Sequence, residues 1–204
     1  MTRIIYAALL LALASGCAAT KNPVGLYQPS QAGNLLKPFS GKLNADDLSI
    51  GSISIGTSTF DEVAAKFGKT EIIKSDQEQS WVRICYRSVN KGDDTIVLFE
   101  SGPMGGWTRL TSISITHSKL WKDSALCQSS RLVTKEISTV SGLKIGISTS
   151  ELVRRLGNPS VITENFYGRY LLSQEGDWTT TSVVEAALEN DQLVSITLHQ
   201  IITN

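Results

Sequence analysis

Residues 56–69 (GTSTFDEVAAKFGK) and 146–159 (GISTSELVRRLGNP) are written to one plan. Each follows a short alternating stretch, Ile53-Ser54-Ile55 or Leu143-Lys144-Ile145, and opens on glycine and a Ser/Thr cluster. Each then runs through one helical period and closes on a second glycine. Farther on, residues 110–115 (LTSISI) are echoed by residues 193–198 (LVSITL). From Gly68 and Gly157 to Glu100 and Glu189 the copies align without a gap at an offset of 89. The offset then falls to 83, because the first copy carries six extra residues, 102–107 (GPMGGW). Self-similarity over this distance predicts a duplicated unit. The expected fold class is α+β, built as two tandem helix-plus-antiparallel-sheet repeats whose sheets can join into one continuous concave surface. The repeats are placed at 45–118 and 137–204, with a connector at 119–136.

Local signals set the elements of each repeat. Ser148 is placed as a helix N-cap, with Glu151 completing a capping box and Thr59 with Glu62 repeating the arrangement. Leu152, Val153 and Leu156, and in the first copy Val63 and Phe67, supply the apolar stripe. Gly157 and Gly68 stop the helices. Strands are predicted at 71–75, 81–89, 95–100 and 110–117, and again at 160–164, 167–173, 179–189 and 193–202.

A helix followed by an antiparallel meander covers one sheet face and leaves the other bare. Alternation assigns Val82, Ile84, Tyr86, Val97, Phe99, Ile113, Ile115, Ala186, Leu188, Ile196 and Leu198 to the helix side. The outer side receives Ser112, Ser114, Thr116, Ser195, Thr197 and Glu185, together with Trp81, Arg83, Cys85 and Arg87. Tryptophan and arginine among small hydroxyl residues suit a protein-binding surface. They equally suit a tryptophan covered by the N-terminal tether or by residues 118–136, toward which Cys85 would draw Cys127. Both readings stand at this point.

Residues 1–16 read as a signal peptide: Arg3, eleven apolar residues from Ile4 to Ala14, then Ala14-Ser15-Gly16-Cys17. Eleven residues are too few to span ~30 Å of hydrocarbon as a helix. The small residues before Cys17 resemble the lipobox of bacterial lipoproteins, which implies lipidation of Cys17 as the mature N-terminus. By the same resemblance, Ala18 at the next position implies the outer membrane, with the protein facing the periplasm. Residues 17–44 are dilute in apolar side chains and read as a lipidated N-terminus and flexible tether. Cys85 and Cys127 then form an even pair in an oxidising compartment, so a disulfide is expected. The whole chain carries 19 basic and 19 acidic side chains. With no basic excess, nucleic acid is set aside.

The motif Gly-x-Ser/Thr-x-x-Glu-Val/Leu…Leu/Phe-Gly-x-Pro is carried here by Gly146, Ser148, Glu151, Leu156, Gly157 and Pro159. A looser copy runs through Gly56, Thr59, Glu62, Val63, Phe67 and Gly68, with Thr70 where proline is usual. It resembles the SmpA/OmlA (BamE) type of outer-membrane lipoprotein, which has one such unit and serves in β-barrel assembly. Two units in tandem resemble the fold of the β-lactamase inhibitor protein. The motif caps and packs a helix and performs no chemistry.

No nucleophile elbow, zinc helix, phosphate loop or calcium loop occurs, and no cofactor or metal is expected. His117 and His199 lie one register apart and read as strand-end residues. The chain is therefore expected to be a non-enzyme, held to the membrane by its lipid and binding another envelope protein through Trp81, Arg83, Arg87, Met104 and Trp107. The alternative is a proteinaceous inhibitor that occludes a hydrolase with its sheet face and the 101–108 loop.

Overall fold

The computed structural model describes residues 39–74, 81–163 and 165–204; Cys17 and its lipobox lie outside them. Ten strands form one sheet. Its central path is β1 (Phe39–Ser40), β10 (Phe166–Glu175), β11 (Trp178–Glu189), β12 (Gln192–Thr203), β7 (Ser112–His117), β6 (Thr95–Ser101), β5 (Val82–Ser88) and β4 (Ile73–Lys74). β8 (Gln128–Ser130) attaches to β5 and β9 (Val161–Thr163) to β10, while β2 (Ser49–Ile50) and β3 (Ile53–Ser54) pair separately. Two eight-residue helices complete it, α1 (Phe60–Phe67) and α2 (Thr149–Leu156). Among the described residues no helix is long and apolar enough to cross a membrane.

This corrects the expected fold class. The chain does not form two helix-plus-sheet repeats; it forms a large mixed sheet with two short helices. β7 and β12 pair antiparallel from Ser195↔Thr116 to His199↔Ser112, joining the halves at main-chain level. Phe60, Val63 and Phe67 of α1 lie in the same apolar cluster as Leu152 and Leu156 of α2, with Ile115 and Ile196 between. Alternation tells which side of a strand is buried. It does not tell which strand edges join, so it could not see that neither half keeps a core of its own.

What recurs is smaller than a domain. Thr59 pairs with Arg109 as Ser148 pairs with Gln192, fixing each helix start against the chain at or just before the last strand of its half. Tyr86 donates from its hydroxyl to the Gly68 carbonyl at 2.7 Å, and Tyr167 to the Gly157 carbonyl at 3.0 Å. These bonds satisfy carbonyls left open at the helix ends. The gap-free offset fails on this strand: Tyr86 faces Val97 while Tyr167 faces Ala186, because the second hairpin is longer and its lead-in shorter. The expected capping box is complete in α1, whereas in α2 only its Ser148 arm forms, accepting from Glu151 N. In α1 the Glu62 carboxylate accepts from Thr59 N at 2.7 Å. Glu151 of α2 instead takes Arg154 and Arg155, and hydrogen bonding to Arg154 first of all holds its carboxyl down to about 2.

The face assignments match the structure. Every residue expected on the helix side is in the main core or packed against it. Two boundaries move. Phe39 and Ser40, expected in the tether, pair with β10, and Leu43 is buried in the core. The expected connector supplies β8 and the buried Val133. Each outermost long strand thus has its open edge covered twice: β5 by antiparallel β4 and parallel β8, β10 by antiparallel β9 and parallel β1. Short edge pieces of this kind block sheet-to-sheet aggregation.

Candidate functional site: the outer sheet face and the 102–107 turn

Strand register lines the outer-face residues into rows. One row reads Arg83, Glu100, Ser112, His199, Val183, Tyr170; the next reads Cys85, Leu98, Ser114, Thr197, Glu185, Gly168. Small hydroxyl residues thus occupy β7 in both rows and β12 in the second, His199 stands on β12 in the first, and larger groups stand at both ends.

The β5–β6 end is closed. Residues 118–127 cross it as a strap of two 3₁₀ turns, bonded to the hairpin below through Ser118 N donating to the Asp94 carbonyl at 2.7 Å. Trp121, Cys127, Cys85, Ile96 and Leu98 make a second apolar cluster there. Cys85 and Cys127 are joined in a disulfide with Cα atoms 4.8 Å apart. Under the strap Arg83 is 1% exposed and donates to Glu100 Oε1 through Nε, at 2.7 Å, and through Nη2. Its guanidinium carbon lies 3.9 Å from the Trp81 ring centre and 5.3 Å from that of Trp121. A cation over two aromatic rings, bonded to a carboxylate, is held by cation–π attraction and charge-assisted hydrogen bonds together.

Arg83, expected on the exposed outer face, is therefore corrected: it is an internal residue bonded to Glu100. Trp81, half-buried, spends a face on it. Of the two sequence readings of this face, cover by residues 118–136 describes the β5–β6 end. The remaining predicted contact residues separate. Trp81 precedes Val82, which pairs with Ser101 at the root of the 102–107 turn, so Trp81, Met104 and Trp107 belong to one end of the sheet. Arg87 is exposed at the other end of β5.

Met104 projects from a 3₁₀ turn, Pro103–Gly105, and is 56% exposed. Trp107 sits at φ 67°, a conformation that favours glycine, and its N–H donates to Gly102 O at 3.1 Å. A non-glycine residue there is uncommon and strained. The chain carries this strain at a half-exposed aromatic next to an exposed methionine.

At the β10–β11 end the polar groups are unlike those under the strap. Tyr170 donates to Glu185 Oε1 at 2.6 Å, and burial raises the Glu185 carboxyl above its usual range against that hydrogen bond. Burial lowers His199 to about 4, so it is neutral at pH 7. His199 lies inside β12, not at its end, and Ser112 is its register partner. Ser112 Oγ makes no hydrogen bond among the described residues, so it does not pair with His199. Glu100, Tyr170 and His199 were missed as outer-face residues. Their parity along each strand could have placed Glu100 and His199, but Tyr170 needed the register of β10. Comparison with protein-family models, characterised proteins and solved structures finds no match.

Proposed function

We propose that this chain is a lipid-anchored, protein-binding module of the bacterial outer membrane, facing the periplasm, and that it meets its partner through the Met104–Trp107 turn. The turn carries the reading: an exposed methionine and a strained aromatic are presented together from a sheet end made rigid by a disulfide. Rigid presentation lowers the entropy lost on binding. The Ala14-Ser15-Gly16-Cys17 motif supplies the anchor in this reading. A photo-crosslinking residue at Met104 in the full acylated chain tests it. The expected product is a discrete adduct with one envelope protein, lost in Trp107→Ala. Adducts with lipid alone, or an unchanged adduct in Trp107→Ala, would count against it. A hydrolase as the sole adduct would turn the reading to an inhibitor.

A further inference from the structure

At the end of β5 away from that turn, the 89–94 hairpin and the strap border an open cleft of about 720 Å³. Arg87, Asp94, Ser118, Ser124 and Ser129 stand on its walls. Arg87 is exposed; its Nε reaches Ser129 Oγ at 3.3 Å, and its outer guanidinium nitrogens make no ion pair among the described residues. Three acids nearby, Asp93, Asp94 and Glu136, are already engaged, while Asp123, between Lys122 and Ser124, adds a further negative charge. Asp93 accepts from Lys135 N at 2.8 Å, Thr95 N at 3.1 Å and Ser88 Oγ at 3.1 Å. Burial acts to raise its carboxyl, yet these bonds together bring it below the ordinary value. Asp94 pairs with His117 Nδ1 at 2.6 Å, and Glu136 with Lys144 at 2.5 Å.

The cations Arg87, Lys91, Lys122, Arg131 and Lys135 are exposed and carry no ion pair among the described residues. Each lines the cleft, lies within two residues of its lining, or is bonded to it through its backbone. Exposed Val89 and Leu126, at 49% and 62%, add an apolar margin.

We propose that this cleft is a second docking site, separate from the Met104–Trp107 turn, for an extended acidic peptide segment of a protein partner. One carboxylate seats on Arg87, and apolar side chains of the segment meet Val89 and Leu126. A planar guanidinium beside hydroxyl donors suits a carboxylate, which accepts from both. The recess between hairpin and strap admits a side chain, whereas a membrane would present a flat layer of headgroups.

Asp94 gives the site a test of sign. As the one wall carboxylate without three donors of its own, it opposes an incoming acid. The test uses the full mature chain and a dye-labelled peptide, acetyl-Glu-Leu-Glu-Leu-Glu, read by fluorescence anisotropy. A glutamine-substituted control peptide is run beside it. The glutamate peptide should bind at least about tenfold tighter than the control, Arg87→Ala should cost roughly tenfold, and Asp94→Asn should tighten binding several-fold. An unchanged melting temperature in Arg87→Ala shows that the fold is intact. Absence of binding at millimolar peptide, equal affinity for both peptides, or indifference to Arg87→Ala would overturn the proposal. So would preferential binding to vesicles containing phosphatidylglycerol over the peptide, which would assign the cations to a membrane.

Discussion

The row that begins at Arg83 under the strap ends at Tyr170 on the far side of the same sheet, and the two ends are built differently. The first buries a full ion pair whose arginine lies over two tryptophan rings, beside a disulfide and a second apolar cluster. The second holds one carboxyl by a tyrosine hydroxyl, with no disulfide among the described residues. The local plan is alike up to the helix start and the tyrosine clamp. The strap makes the difference. A charged pair can be buried at low cost only where it is completely satisfied, and the strap supplies the enclosure and the second aromatic face. A carboxyl without such a partner responds by becoming harder to ionise, as Glu185 does.

Removing one member at each end should show the contrast most strongly. Arg83→Ala leaves Glu100 buried and unpaired and is expected to cost about 3–5 kcal/mol in urea unfolding. Glu185→Gln keeps an acceptor for Tyr170 and should change stability by less than about 1 kcal/mol at pH 7. Equal costs would erase the distinction.

The disulfide comes next. Cys85→Ser with Cys127→Ser opens a link between residues 42 apart and should cost roughly 3–4 kcal/mol. Hydrogen exchange should rise first in residues 118–127 and β5, and the hairpin of β10 and β11 should keep its protection. Loss of protection at both ends together would mean that the strap supports the whole sheet.

A smaller effect depends on pH. His199 titrates at about 4 when folded and near 6.5 when unfolded, so the unfolded chain binds the extra proton between these values. Stability from this residue is complete above pH ~6.5 and is lost as pH falls toward 4, an effect on the order of 2–3 kcal/mol. Glu185, on the same outer face of the neighbouring strand, has a raised pKa and acts oppositely, losing stability as pH rises through its folded value. The difference between the parent and His199→Gln over pH 4–6.5 isolates the histidine. A difference that does not vary with pH would show that His199 is solvated.

The smallest change is expected at the turn. Met104→Ala should alter stability by less than about 0.5 kcal/mol, since the side chain is mostly in solvent. Trp81→Ala should cost more, through its face on Arg83.

The inner and outer assignments of Ile84, Val97, Ile113, Ile196 and Leu198 were legible because a strand's period of two leaves no third choice. The helix starts were legible from Thr59 and Ser148, whose hydroxyls accept from Glu62 N and Glu151 N. Arg83 was placed on the correct face and still misread, because burial there comes from Trp121, thirty-eight positions away in sequence and too far for any local pattern. β1 and β8 were invisible for a related reason. Phe39-Ser40 and Gln128-Ser129-Ser130 carry little strand signal and pair only because a long strand beside them offers open backbone groups. Cys85 and Cys127 paired as compartment and parity suggested.

The two unlike ends should unfold as parts of one cooperative sheet. Residue-resolved hydrogen exchange in increasing urea tests this most directly, because it reads the opening free energy of each half separately. Ile84, Phe99 and Ile115 in the first half and Val184, Ile196 and Leu198 in the second share one core. Their amides should converge on a single opening free energy with one urea dependence. Two plateaus, one for residues before β8 and another for residues after α2, would contradict the account and restore two independently folded units.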